Sequence, residues 1–166
     1  GNFATWPGRF FPLRAGARLL APQSGAMGYG LPAAIGAQLG NPDALVIDIA
    51  GEASIQMNIQ ELGTATQYRL PIKIFILNNE YMGMVRQWQE LLHGERYSSS
   101  WSESLPDFVK LAESFGVGAA RVTSPDHFRP VLEKALADGG PYVISVEVPT
   151  DSEVSPWAFI HPARNN

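Results

Sequence analysis

One carboxylate and two amides stand where chemistry is most readily built. Glu52 comes two residues after an apolar run at 44–50, and Asn78-Asn79 directly follows a second run at 72–77. As ends of neighbouring parallel strands, these positions would bring one acid beside paired amides. Mg²⁺ favours oxygen ligands in a compact octahedron and is commonly shared with substrate phosphates. Ala53 and Ser54 would open the next helix, whose free N–H groups favour a phosphate. The same residues also read as a helix cap with a first-turn Glu, plus an Asn turn. Spacing alone leaves both open.

A second group is Gly25-Ala26-Met27-Gly28-Tyr29-Gly30-Leu31-Pro32-Ala33. Its glycines let backbone groups approach a ligand with no side chain in the way. Gly28, Gly30 and Ala33, with Asp48 twenty positions after Gly28, match a dinucleotide fingerprint, so a nicotinamide-binding module is one alternative. The context is poorer, because Asp48 lies inside an apolar run and the glycines fall well beyond Ala21. Close helix packing through small residues is the other reading. Met84, Val85 and Trp88 form a third group, in which Met84 and Trp88 share a helix face. They read either as a core stripe or as an apolar pocket wall. His93, His127 and His161 have no metal-ligand spacing.

The elements that must position these groups alternate along the chain. Helical patterns fall at 2–11 (broken by Pro7 and Pro12), 27–39, 55–68, 82–92, 106–115 and 125–137, the last capped by Ser124. Strand patterns fall at 18–21, 44–50, 72–77, 119–122 and 142–148, and 94–104 reads as a polar, serine-rich loop. Ile59, Leu62, Ala65 and Thr66 lie on one stripe. Such alternation predicts an α/β fold, a parallel sheet with helices on both faces. Its ligands belong at the carboxyl ends of the strands. Residues 1–148 read as one domain, and 149–166 as a tail packed on the domain or a partner.

Composition narrows the classes. Hydrophobic residues make up 45% and charged residues 17% of 166, enough to bury a core and too weakly charged for disorder. Sixteen acids against twelve Lys and Arg give a net charge of −4, with no basic stripe for nucleic acid or an anionic membrane. No apolar run reaches bilayer length. The absence of cysteine excludes disulfides and thiolate chemistry. A cytoplasmic setting is the default reading. The start at Gly1, without Met or a targeting segment, reads as a piece of a longer chain.

Gly51-Glu52-Ala53-Ser54 followed by Asn78-Asn79 is similar to the thiamine-diphosphate signature, normally Gly-Asp-Gly or Gly-Asp-Ala with Asn-Asn about one strand later. The run Asn78-Asn79-Glu80-Tyr81-Met82-Gly83-Met84-Val85-Arg86-Gln87-Trp88-Gln89 resembles acetohydroxyacid synthase (acetolactate synthase) catalytic subunits. Ser24-Gly25-Ala26-Met27-Gly28-Tyr29-Gly30 and Leu105-Pro106-Asp107-Phe108-Val109-Lys110-Leu111-Ala112 fit the same family. The resemblance covers nearly the whole chain as the pyrophosphate domain of such enzymes, a transferase of branched-chain amino-acid biosynthesis.

The resemblance implies thiamine diphosphate and Mg as cofactors. Glu52, Asn79 and Tyr81 (through its carbonyl) fall on the metal ligands. Gly51, Ala53 and Ser54 fall on the diphosphate loop, and Gly25 and Met27 on the aminopyrimidine site, with the Met27 side chain as a wedge. Met84, Val85 and Trp88 fall on the wall over the thiazolium and the pocket for the second 2-keto acid. The implied partners are 2-keto acids, the parent's N-terminal domains, a second copy in a homodimer or tetramer, and a regulatory subunit. Trp6, Phe10, Phe11 and Trp101 are candidates for the subunit contact, with core packing as the alternative. Two departures stand out: Glu52 replaces the family's Asp, and the glutamate that protonates the pyrimidine is absent from this chain. No catalytic residue is therefore expected here, and the chain alone is expected to be inactive. The remaining alternatives are another thiamine-diphosphate-dependent 2-keto acid decarboxylase or carboligase, and a non-catalytic domain that keeps only the fold.

Overall fold

A computed structural model describes residues 1–150 and 152. The proposed tail at 149–166 thus lies almost wholly outside the described residues. Four strands, β1 (Ile47–Gly51), β2 (Lys73–Asn78), β3 (Gly118–Val122) and β4 (Tyr142–Glu147), form one sheet. Every pairing is parallel, in the order β1-β2-β4-β3. Among the described residues, seven helices connect or flank them: α1 (Asn2–Phe10), α2 (Gly30–Gly40), α3 (Glu52–Gln56), α4 (Glu61–Gln67), α5 (Gly83–Leu92), α6 (Phe108–Ser114) and α7 (Pro125–Ala137).

The strand pattern explains the layers. Alternate residues of a strand face opposite sides, so Ala50, Ile74, Ile76 and Val143 meet Leu31 of α2, Leu62 and Ala65 of α4, and Phe108 and Ala112 of α6. Phe75, Ile144 and Val122 point the other way and pack on Val131, Leu132 and Ala135 of α7. Helices therefore cover both faces, as the alternation predicts. The buried Lys73 ammonium donates to the carbonyls of Asp138 and Gly140, each at 2.8 Å, tying β2 to the turn before β4.

Several expectations are corrected. Residues 18–21 form no strand, and Leu19 and Leu20 are exposed. A four-residue apolar run becomes a strand only beside a ladder partner, and among the described residues it has none. The expected helix at 55–68 is two helices, because i→i+3 bonds from Asn58 to Ile55 and from Glu61 to Asn58 tighten the chain between α3 and α4. The helix expected from residue 27 starts at Gly30, since Gly28 takes φ +81°. The strand expected at 44–50 begins only at Ile47, which is half-exposed because β1 is an edge. Ser124 occupies the cap position of α7 but makes no side-chain capping bond. The cap that does form belongs to Asp107, whose Oδ1 accepts from the N–H groups of Val109 (3.1 Å) and Lys110 (3.3 Å).

The register sets the site. Gly51 lies opposite Leu77 in the parallel ladder, so the chain leaves β1 and β2 at the same level. Glu52 and Asn79 emerge side by side.

Candidate functional site

A cavity of about 550 Å³ opens at the carboxyl ends of β1 and β2. All of the site residues expected from sequence line it: Gly25 and Met27 from one loop, Gly51 to Ser54 from the end of β1, Asn79 and Tyr81 after β2, and Met84, Val85 and Trp88 from α5. Sequence reasoning missed the contribution of α1, whose Asn2, Phe3 and Trp6 close one side. The signal was faint: a short aromatic stretch with a proline inside, and no motif.

Glu52 begins α3 and is 2% exposed. Burial pushes its carboxyl up to about 7, a rise favoured by the Glu80 charge and opposed by the N–H groups of Glu52 and Asn79. Its Oε1 is buried without a hydrogen-bond partner. Beyond β2 the chain turns on its own amides. Asn78 Oδ1 accepts from Glu80 N–H at 3.2 Å, and Asn79 Oδ1 accepts from Tyr81 N–H at 3.3 Å. Glu80 takes φ +64° between them. The Asn-turn reading of this pair therefore holds, and the Asn79 oxygen that accepts from Tyr81 keeps a second lone pair.

Tyr81 pairs with Trp101 in an isolated antiparallel bridge. Its two hydrogen bonds run from Met82 N–H to Ser100 O and from Ser102 N–H to Glu80 O, each at 2.8 Å. The Tyr81 carbonyl takes no part in them. An orphaned buried carboxylate oxygen, an amide oxygen and a backbone carbonyl make an all-oxygen donor set, which fits a hard divalent cation. No group of three His, Cys, Asp or Glu capable of holding a metal occurs among the described residues, so further ligands to such an ion would come from elsewhere.

The apolar side is open. Met27, Met84, Val85 and Trp88 are exposed to the cavity or its mouth, Trp88 by 47%. The core-stripe reading of α5 is thereby overturned. Trp6, Phe10, Phe11 and Trp101 are likewise exposed, which removes core packing as their explanation. Trp6 stacks on Phe10 with ring centroids 5.4 Å apart. Arg86 lies over the rings of Tyr81 (4.7 Å) and Tyr97 (5.6 Å) and donates to the Thr150 carbonyl at 3.1 Å.

The dinucleotide reading fails on Asp48. Its carboxylate presses on Gly30 at the start of α2 and is 4% exposed, so it is walled off from any ribose. Burial pushes it up to about 7, and Oδ2 has no partner. Gly30 is required here, because a Cβ would meet this carboxylate.

The family described as "Thiamine pyrophosphate enzyme, C-terminal TPP binding domain" matches residues 1–146. The chain belongs to this family. As a TPP-binding domain it resembles the acetolactate synthase large subunit of Cyanidium caldarium, at 44% identity over 100% of this chain and 28% of the relative. The acetolactate synthase isozyme 2 large subunit of Escherichia coli K12 is 42% identical over 86% of this chain and 26% of its own length. The chain thus spans under a third of these curated relatives. Among solved structures, the thiamine diphosphate-dependent 4-hydroxybenzoylformate decarboxylase of Rhodococcus jostii RHA1 matches with TM-score 0.74 and 38% identity, over 78% of this chain and 24% of that one. No helix among the described residues is long and apolar enough to cross a membrane.

Proposed function

We propose that this TPP-binding domain serves an acetolactate-synthase-type carboligase, in which two 2-keto acids are joined with loss of CO₂. The observation that supports it most is the meeting of Glu52, Asn79 and Tyr81 with Met27, Met84 and Trp88 around one cavity. The Glu52 carboxylate, the Asn79 amide oxygen and the Tyr81 carbonyl would hold Mg²⁺, with diphosphate oxygens and water completing its shell. Thiamine diphosphate, when bound, supplies the carbanion-stabilising chemistry that side chains lack.

The chain's own residues bind, orient and shield. Gly51, Ala53 and Ser54 receive the diphosphate beside the cation. Gly25 and the Met27 backbone would meet the aminopyrimidine, with the Met27 side chain as an apolar support for the ring. Met84 and Val85 keep water from the reacting face. Trp88 fills volume that a longer alkyl group on the second 2-keto acid must contact, and so sets acceptor preference. On this reading the partners are 2-keto acids, the N-terminal domains of a parent chain, a second subunit and a regulatory subunit.

The reading is tested on the parent protein with pyruvate and Mg²⁺–thiamine diphosphate. Two pyruvates should give one acetolactate and one CO₂. Acetaldehyde without acetolactate would overturn it and favour a simple decarboxylase, the class of the Rhodococcus neighbour.

A further inference from the structure

Gly28 is gripped on both sides of its backbone. Its N–H donates to Ser54 Oγ at 3.0 Å in a buried bond, and its carbonyl accepts from Asn58 Nδ2 at 2.8 Å. Both partners lie across the fold, 26 and 30 residues along the chain. Gly28 takes φ +81°, and a Cβ there would fall 2.8 Å from Asn58 Nδ2 and 2.9 Å from Met57 Cβ. Only glycine fits the grip.

Asn58 is free to reach Gly28 because the chain between α3 and α4 is not regular helix. The bonds from Asn58 N–H to Ile55 O and from Glu61 N–H to Asn58 O turn this short stretch, and Asn58 sits in its middle. Asn58 does not line the cavity, whereas Met27, the residue before Gly28, does. Ser54 lines it too. A hydroxyl that accepts from Gly28 N–H still has its own hydrogen to donate.

We propose that Asn58 is a positioning residue: by holding the Gly28 carbonyl it fixes Met27 in the cavity, and Ser54 joins this grip to the anion-binding end. The inference rests on the functional reading above, in which Met27 supports the organic ring and Ser54 the diphosphate. It separates two parts of one ligand. Loss of the Asn58 donor should disturb the seat of the ring and spare the seat of the diphosphate.

The test compares the chain with Asn58→Asp, which is nearly isosteric and replaces the amide donor with a carboxylate. Calorimetric titration in Mg²⁺ uses two probes, thiamine diphosphate and inorganic pyrophosphate. The variant should bind thiamine diphosphate about five- to tenfold more weakly, the scale of one lost hydrogen bond, with pyrophosphate affinity unchanged. Equal loss of both, or loss of neither, would overturn the proposal. Amide hydrogen exchange on the ligand-free chain tests the grip independently of any ligand. Exchange over 25–29 should quicken in Asn58→Asp while β2 keeps its protection; unchanged exchange at 25–29 would overturn the positioning role. If the unaltered chain binds neither probe while the exchange result holds, the functional reading fails and the grip stands.

Discussion

Asp48 and Glu52 are four residues apart, both buried and both pushed up to about 7 by loss of water. For Asp48 the linkage runs in an unusual direction. A carboxyl with an ordinary value near 3.8 when unfolded and about 7 when folded holds its proton more tightly in the fold. Its stabilising contribution is complete below the unfolded value and is lost as pH rises through about 7. Asp48→Asn cannot ionise, so it should gain on the unaltered protein by roughly 2–4 kcal/mol between pH 4 and 7.5. Urea unfolding at the two pH values checks this, and a difference independent of pH would contradict it. Glu52 raises a matter of length. Mg²⁺ holds its ligands at about 2.0–2.1 Å, and a side chain one methylene longer than Asp approaches from a different place. Glu52→Asp should tighten Mg²⁺-dependent cofactor binding, and unchanged affinity for both metal and cofactor would remove that argument. At this scale the sequence was most informative. All the named site residues line one cavity, because an acid, an amide pair and a glycine run carry their chemistry in their types. Asn58 was not legible in the same way, since it acts on a glycine 30 residues away along the chain.

Elements were legible where their own period was strong and uncertain where a distant partner decided. The runs at 72–77 and 142–148 are strands within a residue at each end, because both faces are buried. The run at 18–21 had the composition of a strand and lacked a neighbour. The stripe through Ile59, Leu62 and Ala65 was real, yet the helix broke at Asn58, where a side chain bonds across the fold. The serine-rich loop at 94–104 shows the same dependence. Ser98 O accepts from Gln89 Nε2 at 2.7 Å, and Ser100 Oγ donates to Gln89 Oε1 at 2.8 Å, fastening the loop to α5. Ser100 is buried, so Ser100→Ala should cost about 1 kcal/mol in urea unfolding. No measurable loss would mean that the backbone bonds of Met82 and Ser102 hold the loop unaided.

For the whole molecule, the parallel register is what turns separate motifs into a site. Because Gly51 and Leu77 are level in the ladder, the acid after one strand and the amides after the next face the same space. α5 then brings Met84 and Trp88 to its apolar side, and the Gly25–Gly28 segment brings Met27. The fold class was readable from strand–helix alternation alone, whereas the role of α1 as a cavity wall depended on Phe3 meeting Gly51 in three dimensions. Calorimetric titration of this chain with thiamine diphosphate, with and without Mg²⁺ and with NAD as a control, tests the central claim most directly. The account predicts binding of thiamine diphosphate that requires Mg²⁺, and no response to NAD. A folded chain that ignores thiamine diphosphate in the presence of Mg²⁺, or binds it equally well without the cation, would contradict it.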